Sequence, residues 1–422
     1  MSILKGGVNS FWRNVITLLS ASMLAQAIPF IILPILQKWF FSPEDFGKLA
    51  IYASVSTLLA SVAAFKYELA IVNAKSQKEA SNIFYGSIFI VLVFSFITTI
   101  VFNLFKSQLS IWLGVESIQS YLTLLNLSII FLGLFEIFNY WNNRKKSFKT
   151  IAAAKVSKSI AAEGSKLGFG YSNILGGLIY GRIVGEFISM MYLVVKFFIY
   201  DFKNFTKSRN REILNTLKKY YRFPLFTMPS VFVGNFIYVI FFALFNKYFG
   251  EAKTGIIGIS VTYVYAAFAL LSASFSQVFL KEIHDIKGRD NLLMVYLKNA
   301  KLLALLSLFV TVFVLIIPSD WVVYLLGDKW NDMMPTLKIL VFGFAVSFVT
   351  SSLSFIYIRL DKQKLMLIFD IFHLLLVWAS ITWAYNYFGT FKETLIVYTI
   401  AQVVYYVIAF IAAIFFIKRS KI

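Results

Sequence analysis

Apolar runs of about 20 residues recur along the whole chain, and this pattern restricts its fold more than any other feature. Hydrophobic residues make up 59% of the 422 positions, and charged residues only 14%. About 20 apolar residues in a helix cross roughly 30 Å of hydrocarbon, whereas a soluble core does not need runs of this length. The sequence therefore predicts an all-α integral membrane protein.

The apolar runs predict twelve transmembrane helices in two groups of six. The predicted spans are 14–36, 46–67, 81–105, 118–141, 149–170, 173–199, 222–246, 255–280, 294–317, 335–358, 365–388 and 393–417. The longest connection, residues 201–221, separates the sixth span from the seventh. The sequence thus predicts an N-terminal six-helix bundle (1–200), a cytoplasmic connecting loop (201–221) and a C-terminal six-helix bundle (222–422).

The basic residues are concentrated in alternate connections, such as residues 144–149 and 207–222. Because basic loops remain in the cytoplasm, we expect both termini to be cytoplasmic. The net charge of +20 is spread over short loops between helices and does not cluster on one soluble face. This distribution favours anionic membrane lipids as partners and argues against nucleic acid.

Two of the predicted spans carry ionisable residues on one helical stripe each. At 100° per residue, the four charges in the interior of the fifth span fall within an arc of about 140°, and two charges of the sixth have the i, i+4 spacing of an ion pair. Each costs roughly 2.5 to 3.5 kcal/mol in hydrocarbon, so the stripes predict either a hydrated functional interior or structural pairing. The charged positions are Lys155, Lys158, Glu163 and Lys166, then Arg182 and Glu186.

Other polar residues in the spans are open to two interpretations. Lys155, Lys158 and Lys196 lie toward the cytoplasmic ends of their spans, where a lysine can reach the headgroups by snorkelling, and for Lys196 this is the better account. Asp370 and His373, at i, i+3 in the eleventh span, could carry a proton or could form a helix-helix contact. Enzyme signatures are absent: there is no phosphate-binding glycine loop, no zinc spacing and no serine with a credible base. We therefore expect a transporter without a cofactor.

Several short segments together resemble Wzx-type polysaccharide flippases of the multidrug/oligosaccharidyl-lipid/polysaccharide (MOP) exporter superfamily. Each segment is short, but together they extend over most of the chain. The resemblance leads us to expect an arginine at position 66, but this chain has Lys66. The lysine keeps the positive charge but lacks the bidentate guanidinium. The segments are Pro43-Glu44-Asp45-Phe46-Gly47, Lys66-Tyr67-Glu68-Leu69-Ala70-Ile71-Val72, Glu79-Ala80, Phe223-Pro224-Leu225 and Leu326-Gly327-Asp328-Lys329-Trp330.

The resemblance implies a MATE-like fold of two six-helix bundles in the bacterial cytoplasmic (inner) membrane. It implies that the protein moves a polyprenyl-pyrophosphate-linked oligosaccharide, such as an O-antigen repeat unit, across that membrane by alternating access. Family members are regarded as coupled to an ion, H⁺ or Na⁺, or to a lipid gradient. The implied protein partners are a polysaccharide polymerase and a chain-length regulator.

A cationic cavity that binds the pyrophosphate and glycan is our hypothesis for the buried charges. The substrate-binding cations would be Lys66, Lys155, Lys158, Lys166 and Arg182. The charge-balancing or proton-coupling acids would be Glu68, Glu163, Glu186 and Asp370. The residues that recruit the headgroup at the cytoplasmic mouth would be Arg13, Arg144, Arg222 and Lys301.

Three alternatives remain open at the level of sequence. A drug or metabolite antiporter of the same superfamily would need an acidic, aromatic cavity for organic cations. A membrane polymerase or ligase acting on the same glycolipid would need a sizeable extracytoplasmic loop, and the largest one here, Pro318 to Met334, is short. A peptidoglycan-precursor flippase differs only in its substrate.

Overall fold

The computed structural model describes residues 25, 27–114, 119–202, 209–284, 286–360 and 362–420. Within these ranges the regular secondary structure is helical, as the apolar runs predict. The first predicted span and Arg13 lie largely or wholly outside the described residues. The all-α prediction is therefore confirmed for the part of the chain that can be described.

The described residues form two compact units. Unit 1 contains the residues up to Phe41 and the segment Ile51–Val239, and unit 2 contains Ser42–Ala50 and Ile240–Ile422. These limits differ from the predicted bundles, because residues 42–50 group with unit 2 and residues 222–239 group with unit 1. The division into two six-helix bundles stays a prediction.

Among the residues that the structure describes, nine α-helices precede the long helix that follows residue 227. Helices α2 and α10 contribute residues to both units, and α9 lies in the connection that the sequence predicts to be a loop. The nine are α1 (Ala27–Phe40), α2 (Pro43–Val62), α3 (Tyr67–Asn73), α4 (Gln77–Leu104), α5 (Lys106–Leu113), α6 (Leu125–Arg144), α7 (Phe148–Tyr171), α8 (Gly177–Tyr200) and α9 (Asn210–Lys219).

Unit 2 is built from residues 42–50, the larger part of α10 from Ile240 onward, and the helices after it. The backbone of α10 is broken at Gly250, whose φ of 81° suits a glycine because it has no Cβ. A cluster of buried apolar side chains, including Tyr296, Val341 and Phe348, forms its core. The helices are α10 (Met228–His284), α11 (Arg289–Ile316), α12 (Ser319–Leu326), α13 (Met333–Ser352), α14 (Phe355–Arg359), α15 (Gln363–Phe388) and α16 (Phe391–Arg419).

The same succession of helix lengths occurs twice along the chain. Helices α4, α5 and α6 have 28, 8 and 20 residues, and α11, α12 and α13 also have 28, 8 and 20. Two long helices then complete each series, α7 and α8 in the first and α15 and α16 in the second. An internal repeat of this kind is common among transporters.

Eight helices are long and apolar enough to cross a membrane, or nine if α2 and α3 are one bent span, counting described residues only. The chain is thus a multi-pass membrane protein. Helix α7 does not pass this test because of its charges, although it has 24 residues. The count of twelve and the cytoplasmic position of both termini stay predictions.

The second predicted span, 46–67, is interrupted near its end. Helices α2 and α3 meet at an angle of 50°. Between them Phe65 and Lys66 have φ values of 51° and 63°, the left-handed region that costs a residue with a Cβ about 1 kcal/mol. At this break the backbone turns away from the axis of α2, and Lys66 lies at the turn.

The connections on one side of unit 1, at residues 74–76, 145–147 and 201–202, lie at a common end, which we call the basic end. The guanidinium of Arg144 contacts the carbonyl oxygens of Ala74 and Ser76, at 2.7 and 3.3 Å. Lys145 forms an ion pair with Asp201, which also accepts a hydrogen bond from Trp141. This is the end that the basic loops predict to be cytoplasmic.

Candidate functional site

Helices α7 and α8 pack closely along much of their length because small residues of α8 face α7. Glycines occur at every fourth position, Gly177, Gly181 and Gly185. A Cβ on Gly181 would lie 2.5 Å from Lys166 Cγ, and one on Gly185 would lie 2.6 Å from Ala162 Cβ. Such small-residue patterns let helix backbones approach closely in membranes. The spacing of these glycines is a sequence signal for this pairing that is independent of the charged residues.

Arg182 and Glu186 form an ion pair on α8, with Arg182 Nε 2.8 Å from Glu186 Oε1. The Glu186 side chain is completely buried, and its other oxygen, Oε2, accepts a hydrogen bond from Ser128 of α6 at 2.6 Å. Arg182 Nη2 donates to Thr57 of α2 at 3.1 Å. The pair predicted from the i, i+4 spacing thus also joins α8 to two other helices of unit 1.

A second layer of polar contacts holds Ser128 in place. The hydroxyl oxygens of Tyr52 and Ser128 are 2.9 Å apart, and Tyr52 donates a hydrogen bond to the carbonyl of Leu124 at 3.0 Å. The sequence pattern does not indicate Tyr52, Thr57 or Ser128 as site residues. Each lies in an apolar helix far from Glu186 in sequence, so no local pattern could have revealed them.

Glu163 and Lys166 form the second ion pair of the stripe, with Lys166 Nζ 2.6 Å from Glu163 Oε1. Glu163 is buried and Lys166 is half-buried. Lys166 lies against Gly181 of α8, as the Cβ geometry of that glycine shows. The two ion pairs are therefore on adjoining helices of one tightly packed pair.

Lys155 and Lys158 differ from Lys166 of the same helix because neither forms an ion pair with a described residue. Within the described ranges, no carboxylate oxygen lies within 4.0 Å of either Nζ. Lys158 Nζ lies 5.9 Å from the centre of the Phe135 ring of α6. It follows the start of α7 by ten residues, or about 15 Å of helix, so it lies well inside the bundle.

Lys158 lies close enough to four other charged residues to interact with each of them electrostatically. Glu186, Arg182, Glu136 and Lys166 all act on it electrostatically, two acids and two bases. Arg182 is paired with Glu186 and Lys166 with Glu163, so Glu136 is the one acid of this group without an ion pair among the described residues. Lys158 has no carboxylate oxygen within 4.0 Å in the same ranges, so its ammonium is open to an anion with good geometry.

Lys66 and Glu68 form a third ion pair at the break between α2 and α3. Lys66 Nζ lies 3.2 Å from Glu68 Oε1, and the Glu68 side chain is almost fully buried. Glu68 Oε2 has no hydrogen-bond partner among the described residues, and the charge of Glu136 on α6 acts on the same carboxylate. A buried carboxylate oxygen without a donor suits a group that binds a proton or a cation.

The four residues predicted to recruit a headgroup differ in their surroundings. Arg222 and Lys301 are exposed, whereas Arg13 lies outside the described residues. Arg144 Nη1 donates to the carbonyls of Ile71 and Ala74 at 2.9 and 2.7 Å, which satisfies the C-terminal end of α3. The contacts of Arg144 therefore favour a capping role.

Asp370 lies in unit 2 on α15, whereas the other predicted acids lie in unit 1. One turn later on α15, His373 Nε2 is 2.8 Å from Gln402 Oε1 of α16, and the imidazole stacks on Tyr405 at 4.0 Å. The contacts of His373 therefore join α15 to α16. These are the helix-helix contacts that the sequence offered as one of its two interpretations.

Lys196 lies near the basic end of α8 between two tyrosines of the same helix. Its Nζ is 5.7 Å from the ring centre of Tyr192 and 5.3 Å from that of Tyr200. These positions fit a lysine that reaches the membrane surface along aromatic side chains. Among the described residues, no group of three His, Asp or Glu side chains could hold a metal ion.

A family match covers 297 residues, more than half of the chain. Residues 39–335 match the family described as polysaccharide biosynthesis protein. The chain belongs to this family. No curated protein sequence matches this polysaccharide biosynthesis protein.

Solved structures of MOP-superfamily transporters share the fold of this polysaccharide biosynthesis protein. The inward-facing form of a multidrug resistance MATE family transporter has a TM-score of 0.65 and 16% identity, covering 96% of both chains. The outward-facing form of such a transporter has a TM-score of 0.59 and 15% identity, covering 97% of both. A MOP transporter from Pyrococcus furiosus Vc1, reported to have a binding pocket of reverse polarity, has a TM-score of 0.55 and 16% identity, covering 96% of both. The MATE-like fold expected from the sequence is confirmed.

Proposed function

We propose that the protein is a flippase for a polyprenyl-pyrophosphate-linked oligosaccharide, an O-antigen or other surface polysaccharide repeat unit. It would move this substrate across the bacterial cytoplasmic membrane by alternating access. Membership of the polysaccharide biosynthesis family and the MATE-like fold support the proposal. A polysaccharide polymerase and a chain-length regulator would act on the product.

The observation that carries the proposal is the presence of two lysines without an ion pair on α7 of unit 1. Lys155 and Lys158 have no counter-ion among the described residues, and Lys158 lies about 15 Å along α7. A pyrophosphate loses its hydration when it leaves water, and charge-assisted hydrogen bonds from ammonium groups replace part of it. The free cations are thus suited to the anionic part of a glycolipid.

The three paired cations would contribute in a second way. Lys66, Lys166 and Arg182 are each bound to a carboxylate, so they add little net field while those pairs are intact. Arrival of the pyrophosphate, or of a proton on the partner acid, would release them toward the substrate. Exchange of this kind would couple transport to an ion.

Glu68 is the acid best placed to exchange a proton or a cation. Its Oε1 is paired with Lys66 and its Oε2 has no hydrogen-bond partner in the described part of the chain. Glu163 and Glu186 would balance charge in the empty site, and Glu186 is further held by Ser128. Asp370 would act separately in unit 2.

Recruitment of the headgroup would fall to exposed cations at the cytoplasmic mouth. Arg222 and Lys301 are exposed and fit this role, and Arg13 is a further candidate outside the described residues. Arg144 is committed to the carbonyls of α3, so we assign it mainly to capping.

A drug antiporter is the second candidate, because the structural neighbours include multidrug transporters. Such a protein would need acids without counter-ions to bind organic cations. In unit 1 the acids of the stripes are paired and two lysines are not. The P. furiosus transporter with reported reverse pocket polarity is a precedent for opposite polarity on this fold.

A deletion strain tests the proposal directly. Loss of the gene should cause an undecaprenyl-linked oligosaccharide to accumulate on the cytoplasmic face of the membrane, and the intact gene should clear it. Lys196→Gln serves as a matched control, since Lys196 lies near the membrane surface. If no lipid-linked intermediate accumulates while sensitivity to organic cations rises, the antiporter is correct and the flippase is not.

A further inference from the structure

Helix α9 lies in the connection after α8 and is fixed to the basic end of α4. Lys78 and Glu212 form an ion pair at 2.8 Å, and Asn82 donates a hydrogen bond to Thr216 at 2.9 Å. Lys219 pairs with Glu79, and this carboxylate also accepts a hydrogen bond from Tyr220. Contacts at both ends of α9 therefore determine which face it turns outward.

The depth of α9 follows from its apolar contact with α4. A Cβ on Gly86 would lie 2.8 Å from Leu217 Cδ1, so Leu217 packs directly on this glycine. The adjoining residues of α4, Tyr85 and Phe89, are the first in a row of exposed apolar side chains, at 37% and 69% exposure. Helix α9 therefore lies where the apolar outer surface of α4 begins, which is the level of the lipid headgroups.

The outward face of α9 is cationic and partly apolar. Four residues fall within an arc of about 100°: Arg211, Leu214, Asn215 and Lys218. All four are exposed, with Leu214 at 58%. The exposed Tyr221 and Arg222 follow directly.

No acidic side chain occurs on this face. Glu212 is the one acid of the α9 sequence, and it is bound to Lys78 on the other side of the helix. A cationic stripe bordered by leucine and tyrosine is the composition of helices that lie on anionic bilayers.

We propose that α9 is an interfacial helix whose cationic stripe, formed by Arg211, Leu214 and Lys218 and extended past its C-terminal end by Arg222, binds the headgroups of anionic phospholipids in the surrounding membrane. The cations contact phosphate oxygens, and Leu214 and Tyr221 insert into the headgroup region. This binding requires neither the glycan nor the transport cycle. It holds the connection between the sixth and seventh predicted spans on the membrane surface.

The chain has no cysteine, so a single introduced cysteine gives one unique labelling site. We would place a spin label at Asn215→Cys in the full-length protein, reconstituted in nanodiscs of phosphatidylcholine alone or of phosphatidylcholine and phosphatidylglycerol in equal parts. The proposal expects the label to lie within the headgroup region in the mixed lipid and to be more accessible to an aqueous relaxation agent in the neutral lipid. A label at Asn103→Cys, exposed at the far end of α4, is the matched control and should not respond.

The charge dependence is tested with Arg211→Gln, Lys218→Gln and Arg222→Gln combined. Each basic residue near an anionic surface contributes about a factor of five, so the triple variant should bind the surface about 100-fold more weakly and lose the lipid response. The control is Lys298→Gln combined with Lys301→Gln, both exposed on α11. This variant should leave the response of the label to lipid composition unchanged.

Two results would overturn the proposal. A label equally accessible in both lipids would make the stripe a solvated face. A response in phosphatidylcholine that appears only when undecaprenyl pyrophosphate is added would assign the stripe to the pyrophosphate of the transported lipid. Because neither measurement uses the oligosaccharide, failure here would leave the proposed transport function untouched.

Discussion

Arg182 and Glu186 form an ion pair one turn apart on α8, in which the completely buried Glu186 carboxylate accepts a hydrogen bond from Ser128 of α6 and Arg182 donates one to Thr57 of α2. Removal of one member of a buried pair leaves the other charge uncompensated and costs about 3 kcal/mol. The side chain of Arg182 is 25% exposed, so water would offset part of this cost. The pair thus has a structural effect that must be separated from its role in transport.

A double variant achieves this separation. Arg182→Ala should destabilise the protein, whereas Arg182→Met combined with Glu186→Met should recover most of the stability, because apolar pairs often replace buried ion pairs at little cost. Export should fall at least tenfold in both. Thermal unfolding in detergent and surface-polysaccharide complementation are the two measurements. Recovery of export in the double variant would show that the charge of Arg182 is not used in transport.

Substitution of the two unpaired lysines of α7 should lower export without lowering stability. Lys155→Gln combined with Lys158→Gln removes two unpaired charges from α7, so stability should be kept or should rise. Each lost contact with a charged group weakens binding by about 1.5 kcal/mol or more, so export should fall by more than tenfold. Lys196→Gln should keep normal export. Normal export in the double variant would contradict a cationic substrate site on α7.

The contact between α7 and α8 depends on glycine. In Gly185→Ala, the new methyl group would lie 2.6 Å from Ala162 Cβ and 2.7 Å from the carbonyl oxygen of Lys158, so we expect a loss of about 1 to 3 kcal/mol. Gly168→Ala on α7 has open space around the new Cβ and should be neutral or stabilising by up to about 1 kcal/mol. The thermal unfolding midpoints of the two variants measure the difference. Equal midpoints would show that the helices do not pack as closely as this.

Arg144 provides a test of capping against recruitment. Its Nη1 donates to the carbonyls of Ile71 and Ala74 and its Nη2 to that of Ser76, a planar two-nitrogen arrangement that a lysine cannot reproduce. Arg144→Lys should therefore lower stability by about 1 to 2 kcal/mol, nearly as much as Arg144→Gln. A direct role in headgroup binding predicts that lysine restores function. Lys149→Gln, exposed at the same end, is the control.

Attachment of α9 to α4 should depend on pH in a defined window. The hydrogen bond from Lys78 lowers the pKa of Glu212 below its ordinary value of 4.5, and the carboxylate of Glu79 raises the pKa of Lys219 above 10.5. A lowered acid pKa gives stability that is lost as pH falls through it, and a raised lysine pKa gives stability that is lost as pH rises through it. A spin label at Asn215→Cys should therefore keep the same mobility from pH 4.5 to pH 10.5.

The matched variant for this window is Lys78→Gln. Without the ammonium of Lys78, the pKa of Glu212 should return toward 4.5, and the acid transition of the label should move to higher pH. A transition near neutral pH in the unmodified protein would show that these ion pairs do not hold α9.

The sequence predicts the ion pairs but not the residues that contact them, because each pair lies within one helix and its other contacts come from distant helices. Helical periodicity is local, so the pairs Glu163 with Lys166 and Arg182 with Glu186 can be read from their spacing. Ser128 donates to Glu186 from 58 positions away, and Arg182 donates to Thr57, which is 125 positions away. The spacing of apolar residues contains no information on such contacts between helices. The sequence therefore indicated the ion pairs but not the hydroxyls that hold them.

Two backbone features were also beyond the sequence signals. The break at Phe65 and Lys66 contains neither glycine nor proline, so nothing local distinguishes it from continuous helix. Helix α9 has only ten residues and is mostly polar, which is typical of a loop, and its contacts with α4 are what stabilise it. Both features depend on tertiary packing.

The close pairing of α7 with α8 has a consequence for how the protein is made. Four ionised side chains would each cost roughly 2.5 kcal/mol or more in lipid, so α7 would not partition from the translocon as a lone segment. Helix α8 is apolar enough to do so, and it begins six residues after α7 ends. The two would therefore leave the translocon together as a helical hairpin, with the glycines of α8 already against α7. In a chain truncated between the two helices, α7 would not insert and would remain at the membrane surface.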